Sequence, residues 1–405
     1  MRCLSKTQSL LFLSSATIIT LCFNNIAAAA NFAVGDRPRS IAIGDFNHDQ
    51  ALDLAVSNQS LDNLSILLGN RDGTFQTQNT FATGSGITPS VITSDFNNDG
   101  ILDLVTANFD SNNFSLLLGN GDGTFQSEKT FASGGINPSS VKVGDFNNDT
   151  LLDLAGVNVT TANVSVLLGN GNGTFQPEKS FAADTSARTA TIGDFNGDHN
   201  LDIITANPIA NTVSILQGNG DGTFQTQKSL ATGTTPLDLI AGDFNNDLLL
   251  DLAVVNEGSN DVSLFLNNRN GTFQTQKTFA TGTNPVSITT ADFNNDNILD
   301  LATANFSSNN ISILLNNGDG TFQTQKTFAI EGIPVSQTPV GETPPPDFQP
   351  GSNPSFITTG DFNGDRIIDI VTANSGSNDI SILYGKGDGT FCFHQEYQCI
   401  NPQKH

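Results

Sequence analysis

Apolar and polar positions alternate over residues 89–96, run apolar over 101–107 and 114–118, and alternate again over 124–131. Asn, Asp and Gly separate the four runs. Runs of five to eight residues bounded by turn formers predict four short strands joined by hairpins. The same succession returns along the chain, and beyond residue 30 no stretch carries the 3.6-residue period of an amphipathic helix.

The period comes from two recurring blocks. DFNxDxxxD starts at Asp45, Asp95, Asp145, Asp194, Asp243, Asp292 and Asp361, at spacings of 50, 50, 49, 49, 49 and 69 residues. GTF ends at Phe75, Phe125, Phe175, Phe224, Phe273, Phe322 and Phe391. Four strands in each of seven units predict an all-β, seven-bladed β-propeller with four-stranded blades. A unit of this length buries too little to fold alone, whereas blades packed face to face bury one another. The recurrent Phe46, Phe96, Phe146, Phe195, Phe244, Phe293 and Phe362 are expected between blades as core. Residues 31–35 (NFAVG) match the end of the fourth strand elsewhere, as in TFATG at 278–282, and the last unit lacks that match. The N-terminal strand is therefore expected to complete the last blade.

Each acidic block sets Asp, Asn, Asp and Asp at positions 1, 3, 5 and 9. The candidate ligands are Asp45, Asn47, Asp49 and Asp53; Asp95, Asn97, Asp99 and Asp103; Asp145, Asn147, Asp149 and Asp153; and Asp194, Asn196, Asp198 and Asp202. The later units supply Asp243, Asn245, Asp247 and Asp251; Asp292, Asn294, Asp296 and Asp300; and Asp361, Asn363, Asp365 and Asp369. Alternate oxygens on a tight loop can converge on one cation, with the position-7 carbonyl and water completing its shell. All-oxygen donors without His, Cys or Met suit Ca²⁺ first, in up to seven structural sites, and Mg²⁺ second. An EF-hand would need a carboxylate at position 12, where Val56, Thr106, Gly156, Thr205, Val254, Thr303 and Thr372 stand. The competing reading is a plain Asx-rich turn, which a single copy leaves open. Seven copies with three carboxylates each, 21 of the 40 acidic residues, favour a cation, because close carboxylates repel.

With these residues in view the chain resembles the FG-GAP/VCBS repeat family, whose relatives include the propellers of integrin α subunits. The DxDxDGxxD motif of those repeats is matched with Asn at position 3, and Gly follows the third ligand only at Gly100. The resemblance implies structural calcium in hairpins joining strands 1 and 2 on a lower face. It implies a partner surface on the upper face, built from the strand 2–3 and strand 4–1 loops.

The remaining features set the context. Arg2 and Lys6, an apolar run over residues 10–23 and four alanines at 27–30 form a secretory leader over 1–30. The mature propeller is then 31–391, with an insertion at 331–350 before the last blade and a tail at 392–405. The insertion holds six of the fifteen prolines and reads as a semi-rigid projection or as a tolerated solvated loop. Cys392 and Cys399, with six residues between them in an exported chain, are expected to pair as a local disulfide. A formal charge of −24 sets aside nucleic acid and anionic lipid as partners. His48, His199, His394 and His405 assemble no catalytic set, and the recurrent carboxylates single out no acid/base pair. Arg37, Arg39 and Arg188 are rare basic groups near the upper face; they read as solvated charge by default, and otherwise would pair an acidic partner. The expected function is a secreted, extracellular or periplasmic, calcium-stabilised, non-catalytic binding or adhesion module for a protein. A glycan-binding propeller and a polysaccharide-active enzyme are the alternatives.

Overall fold

A computed structural model describes residues 31–84, 86–330 and 351–392. The leader, the Pro-rich insertion, and the tail beyond Cys392 with Cys399, His394 and His405 lie outside the described residues. Cys392 itself is buried and disulfide-bonded.

Seven antiparallel sheets form the molecule; in six of them the strands lie side by side in chain order, and in the seventh the N-terminal strand joins the outer edge. In the first blade these are Pro38–Gly44, Asp53–Asn58, Asn63–Leu67 and Asn79–Ala82, from the axis outward. The innermost strands of successive blades touch around the axis, that of the seventh (Pro354–Gly360) meeting that of the first. The architecture is an all-β, seven-bladed propeller. Among the described residues no helix is long and apolar enough to cross a membrane.

Burial explains why the second and third strands read as apolar runs. All six residues of Asp53–Asn58 are buried, and so are their counterparts in every blade, because both sheet faces pack against neighbouring blades. The fourth strands face solvent, with their phenylalanine half-buried. The core accordingly divides into seven clusters, each shared by two blades. One joins Ile41, Val56 and Leu67 of the first blade to Val371, Ile380 and Ile382 of the seventh.

The fourth strand is shorter than the alternation predicts. GTF forms a single bridge to the third strand, Gly119↔Phe125 in the second blade, and pairing resumes only at Lys129–Ala132. At the outer edge no further strand holds the intervening residues in the ladder. Ring closure exploits this break. In the seventh blade the inner half of the fourth strand is Phe391–Cys392, from one end of the chain. The outer half is Asn31–Ala33 from the other, paired Asn31↔Ser381, Phe32↔Ile380 and Ala33↔Asp379. The register is that of Leu64↔Phe81 and Asn63↔Ala82 in the first blade, so the expected closure is present.

Candidate functional site

The acidic blocks lie in the hairpins between first and second strands, all on one face of the ring. The structure brings the four sequence-predicted positions of each block together in one loop and gives them different tasks. In the first blade both oxygens of Asp45 accept backbone N–H groups, Oδ1 from Asp49 at 3.0 Å and Oδ2 from Gln50 at 2.8 Å. Asp49 Oδ1 accepts the Ala51 N–H, and its Oδ2 accepts the Asn47 side-chain amide at 2.9 Å. The same pattern recurs in the other six loops.

These bonds hold a backbone that most side chains resist. Position 6 has positive φ in every loop, although its occupants are Gln50, Gly100, Thr150, His199, Leu248, Asn297 and Arg366. Gly100 suits the conformation without cost and Asn297 tolerates it, whereas the other five resist it. The N–H of position 6 is captured by Oδ2 of the position-1 carboxylate, so the aspartate holds the strained residue in place.

Position 9 is the anchor. Asp53, Asp103, Asp153, Asp202, Asp251, Asp300 and Asp369 are fully buried. Oδ2 of Asp53 accepts the N–H of Phe46 at 2.8 Å, and Oδ1 accepts the N–H of Gly69, in the hairpin between strands 3 and 4, at 2.8 Å. All seven anchors repeat this pair of bonds. Burial pushes these carboxyls up to about 6, and to about 7 at Asp369; the amide hydrogen bonds oppose the rise, and the aspartates at positions 5 and 1 add to it.

Position 2 carries the joint to the next blade. The carbonyl of Phe46 accepts the N–H of Gly123 at 2.9 Å, and its ring meets Phe125 edge-on at 5.6 Å. The aromatic pair is repeated at Phe96–Phe175, Phe146–Phe224, Phe195–Phe273, Phe244–Phe322, Phe293–Phe391 and, across the closure, Phe362–Phe75. The recurrent phenylalanines are inter-blade core, as expected. Asn267 replaces the backbone donor at the fourth joint, its side-chain amide reaching the Phe195 carbonyl at 2.9 Å.

The donor set fits a hard divalent cation in its chemistry. Three carboxylates and an amide share each loop, and among the described residues no Lys or Arg lies within 4.0 Å of these carboxylate oxygens; the exposed His199 imidazole stands 3.9 Å from Asp194, and the Arg71 guanidinium donates to the backbone carbonyl of Asp49. As they stand, the carboxylates are turned to their own backbone amides, and no group of three His, Cys, Asp or Glu side chains among the described residues is arranged to hold a metal.

A second feature lies on the axis. A cavity of about 830 Å³ opens toward the strand 2–3 loops, reached by Gln59, Phe109 and Phe306, and no acidic-block residue lines it. Its wall carries Arg39, Lys142, Arg188, Asp238 and Glu257. The two arginines stand out in the sequence; Lys142 and Asp238 are missed there. The available signal is positional: Asp238 occupies the place of Ser40, and Lys142 that of Ala42, in strands that otherwise repeat. The strand 2–3 loops also hold an unforeseen feature. Their first asparagine is buried, Asn58 Nδ2 donating to Ser65 Oγ at 2.9 Å, and six equivalent pairs follow. Only the tips of these loops are free to vary.

A model of FG-GAP-like repeats matches residues 45–106, 95–156, 152–205, 194–254, 243–303 and 293–372. The chain belongs to the FG-GAP-like repeat family. Comparison with curated proteins finds no match. Several solved structures share the propeller fold. A lectin from Agrocybe aegerita, described as recognising non-reducing terminal N-acetylglucosamine, is 18% identical with a TM-score of 0.53, over 73% of this chain and 80% of that one. The periplasmic gluconolactonase of Pseudomonas aeruginosa is 12% identical with a TM-score of 0.55, over 72% and 85%. A catalytically inactive virginiamycin B lyase from Staphylococcus aureus, solved with quinupristin, is 13% identical with a TM-score of 0.54, over 86% and 96%. The propeller fold thus houses binding proteins and enzymes alike, and the likeness speaks for the fold alone.

Proposed function

We propose that this FG-GAP-like propeller is an exported, non-catalytic binding module in which calcium holds the blade joints and a protein partner docks on the opposite, upper face. The observation that carries the reading is the recurrence of three carboxylates in all seven loops with almost no counter-charge near them. A bare Asx turn needs one carboxylate; the loops retain three, one of them buried. Asp, Asn and Asp at positions 1, 3 and 5 would supply the exposed ligands, and the anchor at position 9 would add charge beneath. A bound cation would relieve repulsion at the joint between blades, which makes its role structural. The variation among repeats sits at the other end of each blade, in the tips of the strand 2–3 loops and in the inter-blade connections.

Calcium binding to the folded state alone raises stability by mass action. Purified mature protein melted in millimolar CaCl₂ and again in chelator tests this. A higher melting temperature with calcium supports the reading, and coincident melting curves remove it. The likeness to a lectin keeps glycan recognition as the second reading. A glycan array on calcium-loaded protein separates the two, since specific retention of a sugar would replace the protein partner.

A further inference from the structure

The chain carries 40 acidic and 16 basic residues, yet three cations line one cavity on its axis. They come from three different blades: Arg39 from the first, Lys142 from the third and Arg188 from the fourth. Among the described residues none of the three side chains makes a hydrogen bond or an ion pair within 4.0 Å. Two of them have a carboxylate at longer range. Asp238 is felt by Lys142 and by Arg188, and Glu257 by Arg188. Asp238 is already engaged by the wall: it accepts the Ser287 hydroxyl at 3.0 Å, the Ile288 N–H at 3.2 Å and the Leu239 N–H at 3.0 Å. Arg39 has no such partner. The charged neighbour that acts on it is a second cation, Arg188.

A half-buried arginine that shares a cavity with another arginine is unfavourable unless something negative joins them. Burial first, and then Arg188, bring the Arg39 guanidinium down to about 10. No acidic-block residue lines the cavity, and the two carboxylates in its wall, Asp238 and Glu257, stand against three cations. The remaining wall is neutral and mixed, with hydroxyl-bearing residues set among apolar ones such as Leu239, Ile240 and Ile357. Ser90, Ser140, Thr189 and Thr358 line it, and Phe109 and Phe306 flank the opening. Guanidinium forks match a carboxylate in a bidentate manner, and hydroxyl walls match a polyol. The volume is that of a small-molecule site.

We infer that the axial cavity binds one small hydroxylated carboxylate, of the sugar-acid class, with Arg39 and Arg188 clasping the carboxylate and the serine and threonine hydroxyls meeting its hydroxyl groups. This site is separate from the calcium loops, and its failure would leave the calcium reading untouched.

Isothermal titration calorimetry on the full mature chain in millimolar calcium tests it, with D-galacturonate, D-glucose and sulfate as probes. Galacturonate binds with a stoichiometry of one, and glucose and sulfate each bind at least tenfold more weakly. Arg39→Gln and Arg188→Gln each weaken galacturonate binding at least tenfold. Arg39→Lys, which keeps the charge and loses the fork, falls between, and Arg37→Gln, on an exposed side chain outside the cavity, leaves binding unchanged. The two glutamine variants lie on different blades, so a folding defect in one leaves the other informative, and the probe comparison requires no variant. The inference is overturned by the absence of galacturonate binding, or by an affinity for glucose or sulfate equal to that for galacturonate. A stoichiometry near seven, which would place the carboxylate on loop-bound calcium, or full affinity in Arg39→Gln also overturns it.

Discussion

The two ends of the propeller follow opposite rules. On the face of the acidic hairpins, seven loops repeat one hydrogen-bond pattern down to the oxygen. Around the axial cavity the equivalent positions hold arginine, proline, serine, arginine, leucine, valine and serine (Arg39, Pro89, Ser139, Arg188, Leu237, Val286 and Ser355). Repetition marks a requirement met once at every joint, where a loop must clamp its own hairpin and the next blade together. Departure marks a place where the blades converge on one volume and need not be alike. A single cavity on a pseudo-sevenfold axis can be polarised only if the repeats differ there.

The comparison can be broken at several points. Removal of residues 31–35 is expected to have the largest effect. It strips the outer half of the closing strand, the buried Val34 and the 5.1 Å contact of Phe32 with Phe75. Thermal unfolding followed by circular dichroism should show a fall of roughly 10 °C or more, several kcal/mol in a chain of this size. An unchanged curve would mean that the closing pairs contribute nothing.

Phe146→Ala should follow, at about 3–5 kcal/mol, since it empties a buried position between the third and fourth blades and removes the ring facing Phe224. Denaturant titration reads it. The equivalent change at Phe244 should cost a similar amount if the joints are interchangeable, and a wide gap between the two would contradict that equivalence.

Asp153→Ala in chelator should cost about 2–4 kcal/mol, because the N–H groups of Phe146 and Gly169 lose their acceptor in a buried setting. Asp149→Ala, on the exposed part of the same loop, should cost under about 1 kcal/mol in chelator. The comparison sharpens when calcium is added: the loss at Asp149 should then grow, because the variant forfeits an ion ligand. Equal losses with and without calcium would confine the loop to its hydrogen bonds.

The smallest expected change is a gain. Leu248 stands at φ 67 with its side chain 92% exposed, in the position that Gly100 fills in the second blade. Leu248→Gly should raise stability by about 0.5–1 kcal/mol through release of left-handed strain. A loss of that size would show that the aspartate bonds already remove the strain.

Much of this was legible from the chain alone because each blade restates the same local problem. The apolar runs, the turn residues and the spacing of the acidic block specify four strands and seven units, and residues 31–35 announce the closure by copying a segment found elsewhere. The phenylalanines of the acidic block could be assigned to the core because the same residue returns at every joint. Periodicity is a local signal, and local signals survive in a sequence.

Other features existed only once the ring closed. Nothing near Asp153 in the chain shows that it lies fully buried under two amide donors, since Gly169 is brought to it by the hairpin and Phe146 by the turn. The break in the fourth strand depends on its having no neighbour outside it. Arg39, Lys142, Arg188 and Asp238 are scattered over four blades and carry no common motif. They share one cavity because seven inner strands meet at an axis, and a relation among distant residues has no period to betray it. Composition and repetition determined the architecture; the convergence of unlike residues, and with it the chemistry of the axis, was decided by the tertiary fold, because only closure sets how far apart those charges stand.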